Sequence, residues 1–168
     1  PVLDQISCHY QTGKSLPDSL IKKMRNAKNF QAGLQLLRQL ELSLFDFRLH
    51  LEFDPKKDYT QIQALLDKIR KRINIIPVSP FNRFQHGFSH IFAGGYAAGY
   101  YSYLWAEVLS CDAFTKFLED GIFNQETGQA FLQSILEQGG AIDAMELFKK
   151  FRGREPKIQA FLKSLDIE

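Results

Sequence analysis

The sequence predicts an all-α fold, and three observations carry that reading. Apolar residues recur at helical spacing along most of the chain, prolines and glycines fall between those stretches, and the composition is that of an ordinary globular protein, with 45% hydrophobic and 24% charged residues. A chain of 168 residues can bury a real core as one domain, so residues 1–168 are expected to form a single helical domain.

Each element has its own warrant. Residues 17–28 begin after Ser15 with Pro17, a helix-start signal. Residues 30–52 form a long helix that stops before Asp54-Pro55. Residues 59–74 place Ile62, Leu65, Leu66, Ile69 and Ile73 on one face with lysines and arginines opposite. Pro77 and Pro80 keep "NIIPVSPFNRF" out of a helix, as a loop or short extended piece. A helix over 97–119 follows. Shorter ones near 125–138, 141–151 and 156–165 are separated by Gly121, Gly139-Gly140 and Gly153. No repeat, low-complexity segment or second domain interrupts the pattern.

Charge and composition exclude several function classes. The net charge of +2 gives no argument for nucleic acid or an anionic membrane as partner. Lys68, Arg70, Lys71 and Arg72 could make a basic patch, but the expected reading is the solvated face of an amphipathic helix. No run of 18 apolar residues offers a membrane span, and no charged segment followed by an apolar one opens the chain as a signal peptide. Cys8 and Cys111 lie far apart without a pattern, which favours reduced thiols and a cytoplasmic location over a disulfide. The start at Pro1, in mid-pattern, reads as a fragment or as a chain that has lost its initiator methionine.

The helix "AGLQLLRQLELSLFDFRLHLE" is apolar on two sides. At about 100° per residue, Leu36, Leu37, Leu40, Leu44, Phe47 and Leu51 form one stripe, and Leu34, Leu42, Phe45 and Leu49 a second. Such a helix sits between layers. It is either the central helix of this domain or an interior helix of a larger protein. Its charges, Arg38, Glu41, Asp46 and Arg48, must be paired or reach a cavity.

The chemistry concentrates in "HGFSHIFAGGYAAGYYSY", His86 to Tyr103. His86 and His90 are four apart and could share a helix face toward a metal. However, a zincin needs Glu directly after the first His, and that position is Gly87. No Cys, Asp or Glu between Asn82 and Ala106 adds a ligand, so no metal is expected here. "AGGYAAG" lacks the Lys-Ser/Thr of a phosphate loop. The tyrosines remain. Tyr96, Tyr100 and Tyr103 are spaced i, i+4, i+7 and would stack along one side of a helix start, while Tyr101, Leu104, Trp105 and Val108 face elsewhere and look like core. Spacing alone fits packing tyrosines with satisfied hydroxyls. Beside Gly94, Gly95 and Gly99 it equally fits a mobile loop whose phenols bind a peptide backbone or a developing oxyanion.

"FQHGFSHIFAGGYAAGYYSYLWAEVLSCDAF" resembles the tyrosine-glycine loop and following helix of the thimet oligopeptidase family, and "FQAGLQLLRQLELSLFDFRLH", "GGAIDAMELFKKFRGREP" and "FNQETGQAF" resemble its C-terminal half. The resemblance spans essentially the whole chain. It implies the multi-helical C-terminal portion of a zincin-like oligopeptidase, a zinc enzyme whose deep channel admits short peptides. In that family the Glu of a His-Glu-x-x-His helix activates a zinc-bound water. Carried over to this sequence, His90, Tyr96, Tyr100 and Tyr103 match channel-lining positions, and Tyr96 and Tyr103 match tyrosines that stabilise the tetrahedral intermediate. Gly94 and Gly95 belong to the same substrate-binding loop, and His86 is a further substrate contact.

This sequence departs from the family at the metal. None of His9, His50, His86 and His90 is followed by Glu. The resemblance therefore implies zinc ligands outside this chain and no cofactor within it. The expected partners are short peptides and the N-terminal part of the peptidase. Two functions follow as expectations: the substrate-binding part of a zinc oligopeptidase, inactive when isolated, or a non-catalytic remnant or helical interaction domain. An in-frame His-Glu-x-x-His upstream of the Pro1 codon marks the first, and a stop codon there marks the second.

Overall fold

The computed structural model describes residues 2–167. The chain forms two compact units, one up to Ala32 and one from Gly33 onward. In the first, α1 (Val2–Ile6) and α2 (Asp18–Lys28) flank a turn. The His9 N–H donates to the Lys14 carbonyl at 2.9 Å, and the Leu16 N–H donates to Ser7 Oγ at 3.1 Å. Pro17 presets the entry to α2. Asp18 in its first turn and Arg25 and Lys28 in its last suit the helix dipole. Helix α1 has no counterpart in the sequence reading.

The second unit is helical throughout, with no strand among the described residues. It runs through α3 (Ala32–Glu52), α4 (Thr60–Ile73), a 3-10 turn at Phe84–Gly87, α5 (Ser89–Phe92), α6 (Ser102–Asp120), α7 (Gln125–Phe131), α8 (Ala144–Arg152) and α9 (Gln159–Ser164). The expected helix over 125–138 is split: α7 passes into a π-helical turn over Leu132–Leu136. Asn124 caps α7, its Oδ1 accepting the Thr127 N–H at 3.0 Å. Asp143 caps α8, accepting the Met145 N–H at 2.9 Å. Left-handed Gly153 closes α8 by donating to the Lys149 carbonyl.

One stripe of α3 builds the main core. Leu42, Phe45 and Leu49 pack with Leu66 and Ile69 of α4 and with Phe88, Ile91 and Tyr100. Phe45 and Leu66 are fully buried, each contributing about 1.5–3 kcal/mol by removal from water. The apolar face expected on residues 59–74 is thus the face that packs, with Ile62, Leu65 and Ile73 at its margin. A second cluster joins Ala113 of α6 to Phe148 and Phe151 of α8, with the Phe117 and Phe131 rings packed tilted and edge-on against Phe151.

Two buried ion pairs tie the helices together. Glu41 on α3 accepts from Arg70 Nε on α4 at 2.9 Å and from Arg38 at 2.7 Å. Arg70 also reaches Asn82 Oδ1 at 3.0 Å, holding the proline loop. Arg70 is therefore buried and departs from the expected solvated face, on which Lys68, Lys71 and Arg72 do lie. Asp112 on α6 accepts from Arg154 and from the Lys157 N–H at 2.6 Å, fixing the segment that leads into α9.

The other stripe of α3 is left uncovered, which differs from the expectation of a central helix of this domain and agrees with that of a helix apolar on a second, open side. Leu40, Leu44, Phe47 and Leu51 are exposed. Leu40, Leu44 and Phe47, with Tyr101, Leu104 and Trp105 at the α6 start and with α9, line an open apolar groove of about 1090 Å³. Tyr101 and Trp105, read as core in sequence, are 52% and 44% exposed; only Val108 of that set is buried.

Candidate functional site

The site is built where the chain passes from α5 to α6. The carbonyl of Ser89 accepts both the Ala93 and Gly94 N–H groups, at 2.7 and 2.8 Å, and the carbonyl of His90 accepts the Tyr96 N–H at 3.0 Å. This tight wrap brings Gly94 against the α5 backbone: a Cβ there would lie 2.9 Å from the His90 Cα and 3.0 Å from its carbonyl oxygen. Gly95 follows at φ +78°, a left-handed conformation that glycine adopts without strain.

Residues 97–101 form successive turns, and the helix begins only at Ser102, five residues after the expected start. The reason is local. Ala98 takes φ +54°, which no right-handed helix accommodates, and its N–H donates to Asp46 Oδ1 at 2.9 Å. The Tyr100 N–H donates to Asp46 Oδ2, also at 2.9 Å. Gly99, expected to supply unusual backbone freedom, has an ordinary φ, and the left-handed residue is the alanine before it.

The turns gather the aromatic residues. Tyr96 and Tyr103 stack with ring centroids 5.0 Å apart. The His90 ring lies 6.2 Å from Tyr96, 5.6 Å from Tyr100 and 6.4 Å from Tyr103, with Phe88 behind it at 5.8 Å. Tyr100 is buried and its hydroxyl donates to Gln39 Oε1 at 3.0 Å, so that proton is already used. Tyr96 and Tyr103 remain 36% and 41% exposed, which leaves them as the accessible phenols of the cluster. The Tyr103 phenol is held above the ordinary tyrosine value, first by the Tyr96 hydroxyl beside it, then by desolvation and the neighbouring phenols. It therefore stays protonated, a donor, at neutral pH. His86 stands in the 3-10 turn, exposed, and makes no ring contact with the tyrosines among the described residues. Exposed phenols of this kind can donate to a peptide carbonyl. They can do so more strongly to the oxyanion that forms when the carbonyl is attacked.

Residues 1–167 match the family model described as peptidase family M3. The chain belongs to peptidase family M3. It is 57% identical over 163 residues to oligopeptidase A of Escherichia coli (strain K12) and 56% identical over 163 residues to oligopeptidase A of Salmonella typhimurium. In both cases 97% of this chain and 24% of the relative are covered. It is 37% identical over 158 residues to dipeptidyl carboxypeptidase of E. coli, covering 92% of this chain and 23% of that protein. The chain thus spans about a quarter of the length of the curated relatives it matches.

The M3 peptidases are zinc metallopeptidases, so the residues present can be tested against zinc. They do not fit it. No three His, Cys, Asp or Glu side chains come together among the described residues. His90 is ringed by aromatic faces rather than ligand atoms. What the sequence reading missed in this M3 chain is the set of residues beneath the loop, Gln39 and Asp46 of α3. The signal was present: a carboxylate inside an apolar helix needs a partner, and here the partners are main-chain amides 52 and 54 residues away.

Proposed function

We propose that this chain is the substrate-binding C-terminal part of a cytoplasmic zinc oligopeptidase that hydrolyses short peptides, and that the whole chain forms part of one catalytic region. The observation that supports this best is the cluster of His90, Tyr96 and Tyr103, with two phenols exposed on a tightly wrapped turn. In this reading Tyr96 and Tyr103 donate to the oxyanion of the tetrahedral intermediate. His90, Gly94, Gly95 and Tyr100 shape the peptide-binding surface, with Tyr100 acting through its ring because its hydroxyl is committed to Gln39. His86 is a more peripheral peptide contact. The zinc ligands belong to residues outside these 168, and the remainder of the enzyme is the partner that covers the apolar groove of α3, α6 and α9.

The test uses the purified chain. It is expected to hold no stoichiometric zinc and to cleave no peptide. Short peptides should shift the NMR signals of Tyr96 and Tyr103 and leave those of the second core cluster unmoved. One tightly held zinc per chain by atomic emission, lost in His86→Ala, overturns the metal assignment. Peptide-induced shifts confined to residues far from the loop overturn the site.

The groove favours the second reading, a helical interaction domain without chemistry, because it offers an extended apolar face. Under that reading Tyr96→Phe and Tyr103→Phe leave every activity of the intact protein unchanged.

A further inference from the structure

Resting on the reading of the loop as the peptide-binding element, we infer that Asp46 is a positioning residue of that site, the buried anchor that sets the backbone from which the two exposed tyrosines project. Its side chain is fully buried in the middle of α3. It divides its two oxygens between two loop amides, Oδ1 accepting from Ala98 and Oδ2 from Tyr100, each at 2.9 Å. The ring of His50, one turn further along α3, places Nδ1 3.0 Å from Oδ1. Gln39, two turns earlier on α3, takes the Tyr100 hydroxyl. One helix thus grips the loop at two main-chain points and one side-chain point.

The grip falls where the loop most needs it. A left-handed alanine costs energy relative to the helical or extended alternatives, and the Ala98 N–H is the atom that Asp46 holds. Tyr96 lies two residues before this point, and Tyr103 lies three residues after Tyr100. A turn fixed before the peptide arrives spares the cost of ordering it on binding, and it aims the phenols at a set position. Carboxylate geometry is essential, because two amide donors need two acceptors. Asparagine offers one acceptor and turns an NH2 donor against the other N–H.

Two experiments decide the inference, and the first makes no reference to peptide. In amide hydrogen exchange on the chain, Ala98 and Tyr100 should be protected by about tenfold or more relative to Ala97, the worth of one net hydrogen bond. Asp46→Asn should erase that difference at one of the two amides at least, and Asp46→Ala at both, while the Leu66 and Ile69 amides keep their rates. Equal exchange of residues 97, 98 and 100 in the unaltered chain overturns the inference, and needs no variant that folds. The second is a double-mutant cycle in the intact peptidase carrying these residues. Asp46→Asn is expected to lower kcat/KM by about tenfold, and by much less once Tyr96 and Tyr103 are both phenylalanine, because it acts through them. Full additivity makes Asp46 a fold residue only and overturns the positioning role. If the tyrosine variants alone leave turnover intact, the peptide-site reading fails, and the exchange data then judge the anchor by itself.

Discussion

Tyr96 and Tyr103 differ from Tyr101 in surroundings, and kinetics should separate them. The first two stack beside His90, whereas the Tyr101 ring meets Phe47 edge-on in the groove. If these tyrosines serve the proposed peptidase as oxyanion donors, Tyr96→Phe and Tyr103→Phe should each lower its kcat by about 10²–10³ with KM little changed, because the donor is worth most when the oxyanion forms. Tyr101→Phe should change neither constant appreciably. Steady-state rates on one short peptide check all three, and equal losses refute the assignment. A second residue-scale prediction concerns the wrap around α5. Gly94→Ala forces a Cβ to 2.9 Å from backbone that cannot give way, so thermal unfolding should report a loss of about 1–3 kcal/mol. Gly87→Ala has open space and should stay within about 0.5 kcal/mol. The gathering of histidine and tyrosines was legible in the sequence through its resemblance to a family motif. The separate fates of the phenols were not. Whether Tyr100 is spent or free depends on Gln39, 61 positions away, and no local pattern encodes that distance.

At the scale of elements, the register of α3 against α4 depends on Glu41 and Arg70. Burial by itself would push the Glu41 carboxyl up; the Arg70, Asn74 and Arg38 partners outweigh it, and the net position is below the ordinary 4.5. Asp112 behaves alike: burial pushes up, while Arg154 and the Lys157 amide pull it below the ordinary 3.8. In both cases the folded carboxyl holds its proton less tightly than the unfolded one. Their stabilisation is fully present above about pH 6 and is lost as pH falls below the ordinary values through the depressed ones. Urea unfolding at neutral pH and at about pH 3, below both ordinary values, should show the acid loss; a flat profile refutes it. Arg70→Met should cost about 1.5–3 kcal/mol, since Glu41 loses its buried partner and keeps only the half-exposed Arg38. Helix existence was largely legible, because periodicity and Pro/Gly punctuation are local. The boundaries failed where a distant group intervened, as at residues 97–101, where Asp46 captures amides that a helix would have used. The π-helical turn after α7 left no mark in composition.

For the whole molecule, the decisive feature is the uncovered stripe of α3. The two-sided pattern foretold that the helix has two apolar faces, and one is covered within this chain. The other is the groove, whose exposed Leu44, Phe47 and Trp105 form a larger apolar face than scattered surface residues would make. The chain should therefore bind an apolar dye such as ANS while fully folded. Leu44→Glu with Phe47→Glu should lower that binding several-fold without lowering the unfolding midpoint, because neither side chain belongs to the core. Dye binding that survives both changes places the sticky surface elsewhere.

The groove also carries the only tryptophan of the sequence, Trp105, half in water. The protein is thus labelled by nature at its open apolar face. Its emission should be that of a wet indole when the chain is alone and should move to the blue when anything closes over α3 and α6. Any partner that closes over this face could then be followed by light, in real time, without altering a single residue.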